Sequence, residues 1–154
     1  MALQKYIRRE LILVRDEGAS RDELFHLFAL AVQAVQPALD GETLMRLLIQ
    51  REAQSPTSTP EGVAFPHALA PDIAETYVAL ARVADGVDFG VPGHGPCDLV
   101  FCMFGNSEKP WEHVRILARL ARLVHTTDAR HNLRIAKDAS DLYGRLMDED
   151  RSHE

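Results

Sequence analysis

The chain is poor in cysteine, lacks any long apolar run, and carries 17 basic against 23 acidic residues. Each shortage removes a class of function. Its two cysteines, Cys97 and Cys102, stand five positions apart within one apolar segment. If that segment is a strand, the odd spacing puts their side chains on opposite faces, which excludes a disulfide between them. Neither cysteine belongs to a CxxC half-site, and no histidine pair at i, i+4 spacing has a matching acid nearby, so no metal site is expected. Lys5, Arg8, Arg9 and Glu10 interrupt the beginning of the chain, so neither a signal peptide nor direct membrane insertion is expected, and the expected location is cytoplasmic. A formal net charge of −6 argues against nucleic acid as a partner, because phosphate binding needs clustered Lys and Arg; a basic protein partner fits better. No G-x-S-x-G motif marks a hydrolase nucleophile.

What remains is an ordinary globular composition, 46% hydrophobic and 26% charged over 154 residues, enough to bury a core without disulfides or metal. With no repeat, linker or low-complexity stretch, residues 1–154 are expected to form a single domain.

Hydrophobic periodicity supplies the elements. Leu11 to Val14 is a short apolar run and suggests an early strand. Ser20 and Glu23 have capping-box spacing ahead of an amphipathic helix that Pro37 terminates. Asp40 caps a second helix, expected to end near Arg51. Ser55 to Gly62, with two prolines, is a loop. Val63-Ala64-Phe65 is extended and runs into Pro66, which holds the preceding residue out of helical geometry, so His67 is expected at a strand end. Thr76 to Ala84 alternates as a strand, with Tyr77, Ala79, Ala81 and Val83 on one face. Gly90 to Pro96 is a turn region, and Leu99 to Phe104 is apolar throughout, as in a central strand covered on both faces. A helix opens at Lys109 or Pro110 and reaches about Val124, with further helices after Thr127 and Ala139 and a charged tail expected to fray from Asp148. The succession predicts an α/β fold: a three-layer sandwich in which a mixed central β-sheet carries helices on both faces.

Of the seven histidines, position separates two from the rest. His26, His94, His125, His131 and His153 fall in a helix, a turn, helix ends and the tail, where a solvated or capping role is the ordinary one. His67 follows an apolar strand and a proline, after a loop with Thr57, Ser58 and Thr59, and strand ends are where α/β proteins place sites. His113 lies in the first turn of its helix and shares a face with Ile116, Leu117 and Leu120. Arg115, Arg119 and Arg122 of the same helix are expected to form a solvated stripe.

The segment from Arg51 to His67, with Arg51, Thr57, Pro66 and His67 in place, resembles the active-site signature of phosphotransferase system enzyme IIA, type 2, the fructose/mannitol family with its nitrogen-regulatory branch. Val87-Asp88-Phe89, Cys97 to Phe101 and the run beginning at His113 resemble its later signatures, so the likeness extends from about Leu11 to Met147. It implies a phosphohistidine relay without metal or organic cofactor. An HPr-like phosphocarrier, or its nitrogen-branch counterpart, passes a phosphoryl group to His67; His113 hydrogen-bonds it or holds the tautomer of His67. Arg51 balances the charge, and Thr57 with the neighbouring Ser58 loop binds the phosphoryl oxygens. The output is regulation of a target protein, or transfer to a separate permease component, or, with transfer lost, binding alone. Four residues depart from the family pattern: Pro60 and Glu61 before the strand and Ala68 and Leu69 after His67, with Glu61 expected to bring negative charge toward the phosphoryl group. No oligomeric state follows from the sequence.

Overall fold

The computed structural model describes residues 2–153. The strands are β1 (Ile7–Arg15), β2 (Val63–Ala64), β3 (His67–Ala70), β4 (Tyr77–Val87) and β5 (Cys97–Asn106). The helices are α1 (Arg21–Val35), α2 (Gly41–Gln54), α3 (Pro110–Leu123), α4 (Thr127–Arg134) and α5 (Ala139–Ser152), with a 3-10 turn at Leu3–Lys5. The sheet order is β1-β4-β5, with β2 and β3 both along the far side of β5. Only the β4–β5 pair is antiparallel, so the sheet is mixed.

Strand alternation distributes the core between two layers. Tyr77, Ala79, Ala81 and Val83 of β4 pack with Val100, Cys102 and Phe104 of β5 against Leu24, Phe25, Phe28, Leu44 and Leu48 of α1 and α2. Val78, Leu80, Leu99, Phe101 and Met103 face Ile116 and Leu120 of α3 together with Leu133, Leu142 and Leu146 of α4 and α5. This is the expected three-layer sandwich. Full burial of side chains such as Phe28 or Leu120 contributes about 1.5–3 kcal/mol each. Ser20 and Asp40 cap α1 and α2 by accepting from the backbone N–H groups of Glu23 and Thr43. Among the described residues no helix is long and apolar enough to cross a membrane.

Several local expectations are corrected. The first strand starts at Ile7 rather than Leu11, and α2 continues past Arg51 to Gln54. Cys97 and Cys102 are unbonded yet contribute to the same core layer. The N–H groups of Asp98 and Leu99 both donate to the Gly62 carbonyl, at 3.0 and 3.4 Å, and this local bulge reverses the alternation ahead of Leu99. The charged tail does not fray, since α5 runs to Ser152 and Asp150 is only 3% exposed. Its carboxylate accepts from the Arg119 Nε at 2.9 Å and from the Leu3 N–H at 2.8 Å. Arg119 is consequently buried while Arg115 and Arg122 are exposed, so the arginines of α3 do not form one solvated stripe.

Candidate functional site

Pro66 determines how His67 is presented. Strands β2 and β3 keep one register against β5, with Val63 opposite Leu99 and His67 opposite Met103, so they form one edge strand interrupted at Phe65 and Pro66. His67 is therefore the first residue of β3, at a strand end as expected, directly after the break. Proline supplies no N–H for a ladder, but its carbonyl still accepts from Met103 N–H at 3.1 Å and keeps the strand attached. Alternation points Val63, Phe65, His67 and Leu69 toward the α3 layer, and Ala64, Ala68 and Ala70 toward the other.

His67 meets His113 on that side. The ring centroids are 4.8 Å apart with the planes tilted at 54°. Pro110 at the start of α3 sets the beginning of the helix, which places His113 in its first turn over the strand edge. The two rings line a cleft with Arg51, Gln50, Gln54 and Leu69, bounded by the last turns of α2 on one side and α3 on the other.

The tautomer of His67 follows from one contact. Its Nδ1 lies 2.9 Å from the Phe65 carbonyl oxygen, which can only accept, so Nδ1 carries the proton. In the neutral ring the lone pair is then on Nε2. Burial lowers the pKa of His67 and outweighs the opposing effect of the Phe65 bond; the positive charge of Arg51 lowers it further. His113 is lowered by burial and then by His67 and Arg51. Both rings are neutral near pH 7. The Nδ1 of His113 is enclosed without a hydrogen-bond partner. An orphaned N–H is more costly than an orphaned lone pair, which favours the tautomer with the proton on Nε2.

Arg51 donates from Nη1 to the Ser55 carbonyl at 2.9 Å and, among the described residues, pairs with no carboxylate. Thr57 and Ser58 are not among the residues that line the cleft. The loop folds back on β2: Thr59 N–H donates to the Val63 carbonyl, Phe65 N–H donates to the Thr57 carbonyl, and Ser58 bridges to Ala64. Thr57 gives both its N–H and its hydroxyl to the carboxylate of Glu52, at 2.7 Å each. Ser58 Oγ is 2.8 Å from Nδ1 of the half-buried His94, which ties the loop to the Gly90–Pro96 turn region.

The structure brings together His67, His113 and Arg51, whereas Thr57 and Ser58 brace the loop beside them. Sequence reasoning missed Glu52, a buried acid adjacent to Arg51 that fixes the end of α2 to the loop. The available signal was a carboxylate and a threonine five positions apart across a helix end. It also misplaced Glu61, which borders the surface around Gly62 and Arg134 rather than the cleft, with Pro60 beside it. Ala68 and Leu69 both line the cleft; Ala68 also packs in the α1/α2 core layer, and Leu69 supplies an apolar wall. Among the described residues no group of three or more His, Cys, Asp or Glu side chains is placed to hold a metal.

A mixed α/β sandwich with a neutral, hydrogen-bonded histidine opposed by a second histidine and an unpaired arginine has the parts of a phosphohistidine carrier. The family model of the phosphoenolpyruvate-dependent sugar phosphotransferase system, EIIA 2, matches residues 5–148, and the chain belongs to that family. Its relatives extend into the nitrogen-regulatory branch: it is 32% identical over 118 residues to a nitrogen regulatory protein of Bradyrhizobium diazoefficiens, covering 76% of this chain and 77% of that one. It is 30% identical over 125 residues to the fructose-specific EIIA component of Haloferax volcanii, covering 80% of each. The crystal structure of nitrogen regulatory protein IIA-Ntr from Neisseria meningitidis superimposes with a TM-score of 0.83 at 23% identity, over 94% of this chain and 98% of that one.

Proposed function

We propose that this chain is a regulatory phosphocarrier: His67 accepts a phosphoryl group on Nε2 from an HPr-like carrier or its nitrogen-branch counterpart, and its phosphorylation state sets which cytoplasmic proteins the chain binds. The observation that carries this reading is the bond from His67 Nδ1–H to the Phe65 carbonyl, which leaves Nε2 as the nucleophilic nitrogen. The likeness to nitrogen regulatory proteins supports the regulatory output.

The chemistry demands positioning and charge balance more than covalent assistance. The Nε2 lone pair attacks phosphorus in line; the Nε2–P bond forms as the bond from phosphorus to the donor breaks. Nδ1 keeps its proton, so the product is a phosphorylated imidazolium whose positive charge the Phe65 carbonyl stabilises. Such a ring is a good leaving group for onward transfer. Arg51 offsets phosphoryl charge, and His113 donates from Nε2–H to a phosphoryl oxygen. Thr57 acts one step back, by holding Glu52 and with it the helix end that carries Arg51. Glu61 is not among the residues that line the cleft.

Incubation with enzyme I, a phosphocarrier and phosphoenolpyruvate, followed by mass spectrometry under conditions that preserve phosphohistidine, tests the reading. One added phosphoryl group in the wild type and none in His67→Ala supports it; labelling that persists in His67→Ala contradicts it. A second reading, delivery of the phosphoryl group to a separate sugar permease component, is favoured by the fructose-specific relative. Sugar-dependent loss of the label to a membrane fraction would select it over the regulatory one. The third, a binding module without transfer, is selected if no carrier labels the chain.

A further inference from the structure

A second cleft lies beside the first turn of α3 and shares no residue with the histidine cleft. It encloses about 280 Å³ between the start of β1, the start of β4 and α3. Lys5, Arg8 and Lys109 converge on it. Among the described residues none of these three cations pairs with a carboxylate, although the chain as a whole is acidic at −6.

The two acids in the cleft are oriented by neutral hydroxyls and keep their charge. Glu112 accepts from the Thr76 hydroxyl at 2.5 Å, and Glu75 accepts from the Tyr77 hydroxyl at 3.0 Å. Aromatic rings hold two of the cations instead: Arg8 lies 5.9 Å from the Tyr77 centroid and the Lys5 ammonium 5.5 Å from that of Tyr6. Three cations thus share a concave site with two carboxylates, a net charge of +1, and among the described residues none of the three is ion-paired. Its volume falls just below the range of ligand pockets, about 300–1,000 Å³, which suits a small occupant rather than a protein segment.

We propose that this cleft binds a small organic anion through a carboxylate or phosphate group, and that occupancy is transmitted to His113 through Glu112, its neighbour on α3. Lys5, Arg8 and Lys109 neutralise the ligand. The Thr76–Glu112 bond keeps the first turn of α3 in place beneath it, so a negative charge entering the cleft is felt where the helix carries its histidine. The site is independent of whether His67 accepts a phosphoryl group.

The test is a nuclear magnetic resonance titration of the unphosphorylated full-length chain with succinate, and separately with glycerol 3-phosphate, each against sodium chloride at matched ionic strength. Saturable shifts of the Thr76, Tyr77 and Glu112 amides and of the His113 ring are expected. Which probe binds more tightly separates a carboxylate from a phosphate ligand. Lys5→Gln and Lys109→Gln alter exposed side chains and should each weaken binding about tenfold, leaving the rest of the spectrum unchanged. Non-saturating shifts that chloride reproduces, or full affinity in both variants, would overturn the site; saturable binding without movement of the His113 resonances would overturn the transmission. Repeating the titration in His67→Ala should give the same affinity, which separates failure of this proposal from failure of the acceptor assignment.

Discussion

The rings of His67 and His113 face each other at 4.8 Å although they lie 46 positions apart in the chain, one on an interrupted edge strand and the other in the first turn of α3. Pro66 on one side and Pro110 on the other set where each side chain begins. The pairing gives the two histidines different work: His67 has its Nδ1 proton committed to Phe65, whereas His113 has an enclosed Nδ1 and an Nε2 free to donate.

Substituting His113 separates donation from nucleophilicity. His113→Ala should leave His67 as the labelled residue while slowing phosphoryl acceptance on the order of 10²-fold, the usual cost of one preorganised donor. His113→Gln, which retains an N–H donor, should recover part of that rate. Rapid-quench measurement of acceptance from a phosphorylated carrier checks both.

The pH profile carries a definite sign. The reactive form of His67 is neutral and burial holds its pKa below the ordinary value of about 6.5, so acceptance should fall to half its plateau only at a pH below 6.5. The same depression affects stability. Between the folded and unfolded pKa values the unfolded chain binds more protons, so stability should fall as pH drops from about 6.5 through the lower folded values of His67 and His113. Arg51→Gln removes a charge that holds both values down and should move both titrations upward. Histidine ring resonances followed against pH provide the measurement.

Thr57→Val removes a hydroxyl from a buried carboxylate and should destabilise the chain by about 1–3 kcal/mol, with Thr57→Ser close to wild type. Because the loop braces the end of α2, the variant should also slow acceptance without abolishing it. Urea unfolding together with the rate assay distinguishes this bracing role from direct contact with the phosphoryl group. Direct contact would lower the rate at unchanged stability.

The Arg119–Asp150 pair joins α3 to the last helix with both side chains almost wholly enclosed. Asp150→Ala leaves a buried guanidinium uncompensated and should cost about 3–5 kcal/mol in urea unfolding. The double variant Arg119→Met with Asp150→Leu should recover much of that loss, since it removes the stranded charge as well.

The elements governed by local signals were legible in the sequence. Ser20 and Asp40 are caps whose side chains act within three residues, and the alternation of β4 assigns its faces without reference to the rest of the chain. What escaped depends on partners distant in sequence. Arg119 looks solvated until Asp150, 31 residues away, closes over it, and that contact keeps the charged tail helical. The cysteine faces depend on a bulge at Asp98 and Leu99 that only the neighbouring Gly62 carbonyl creates. Within the site, resemblance singled out His67, His113 and Arg51, which the fold does gather around one cleft. The resemblance implies that Thr57 and Ser58 bind phosphoryl oxygens, and in the structure their hydroxyls are hydrogen-bonded to Glu52 and His94.

The most direct test of the central claim is a long-range proton–nitrogen correlation spectrum of the phosphorylated chain, with histidine nitrogens labelled. The account predicts phosphorus on Nε2 of His67, with Nδ1 still protonated and hydrogen-bonded. Phosphorus on Nδ1 of His67, or on any other histidine, would contradict it.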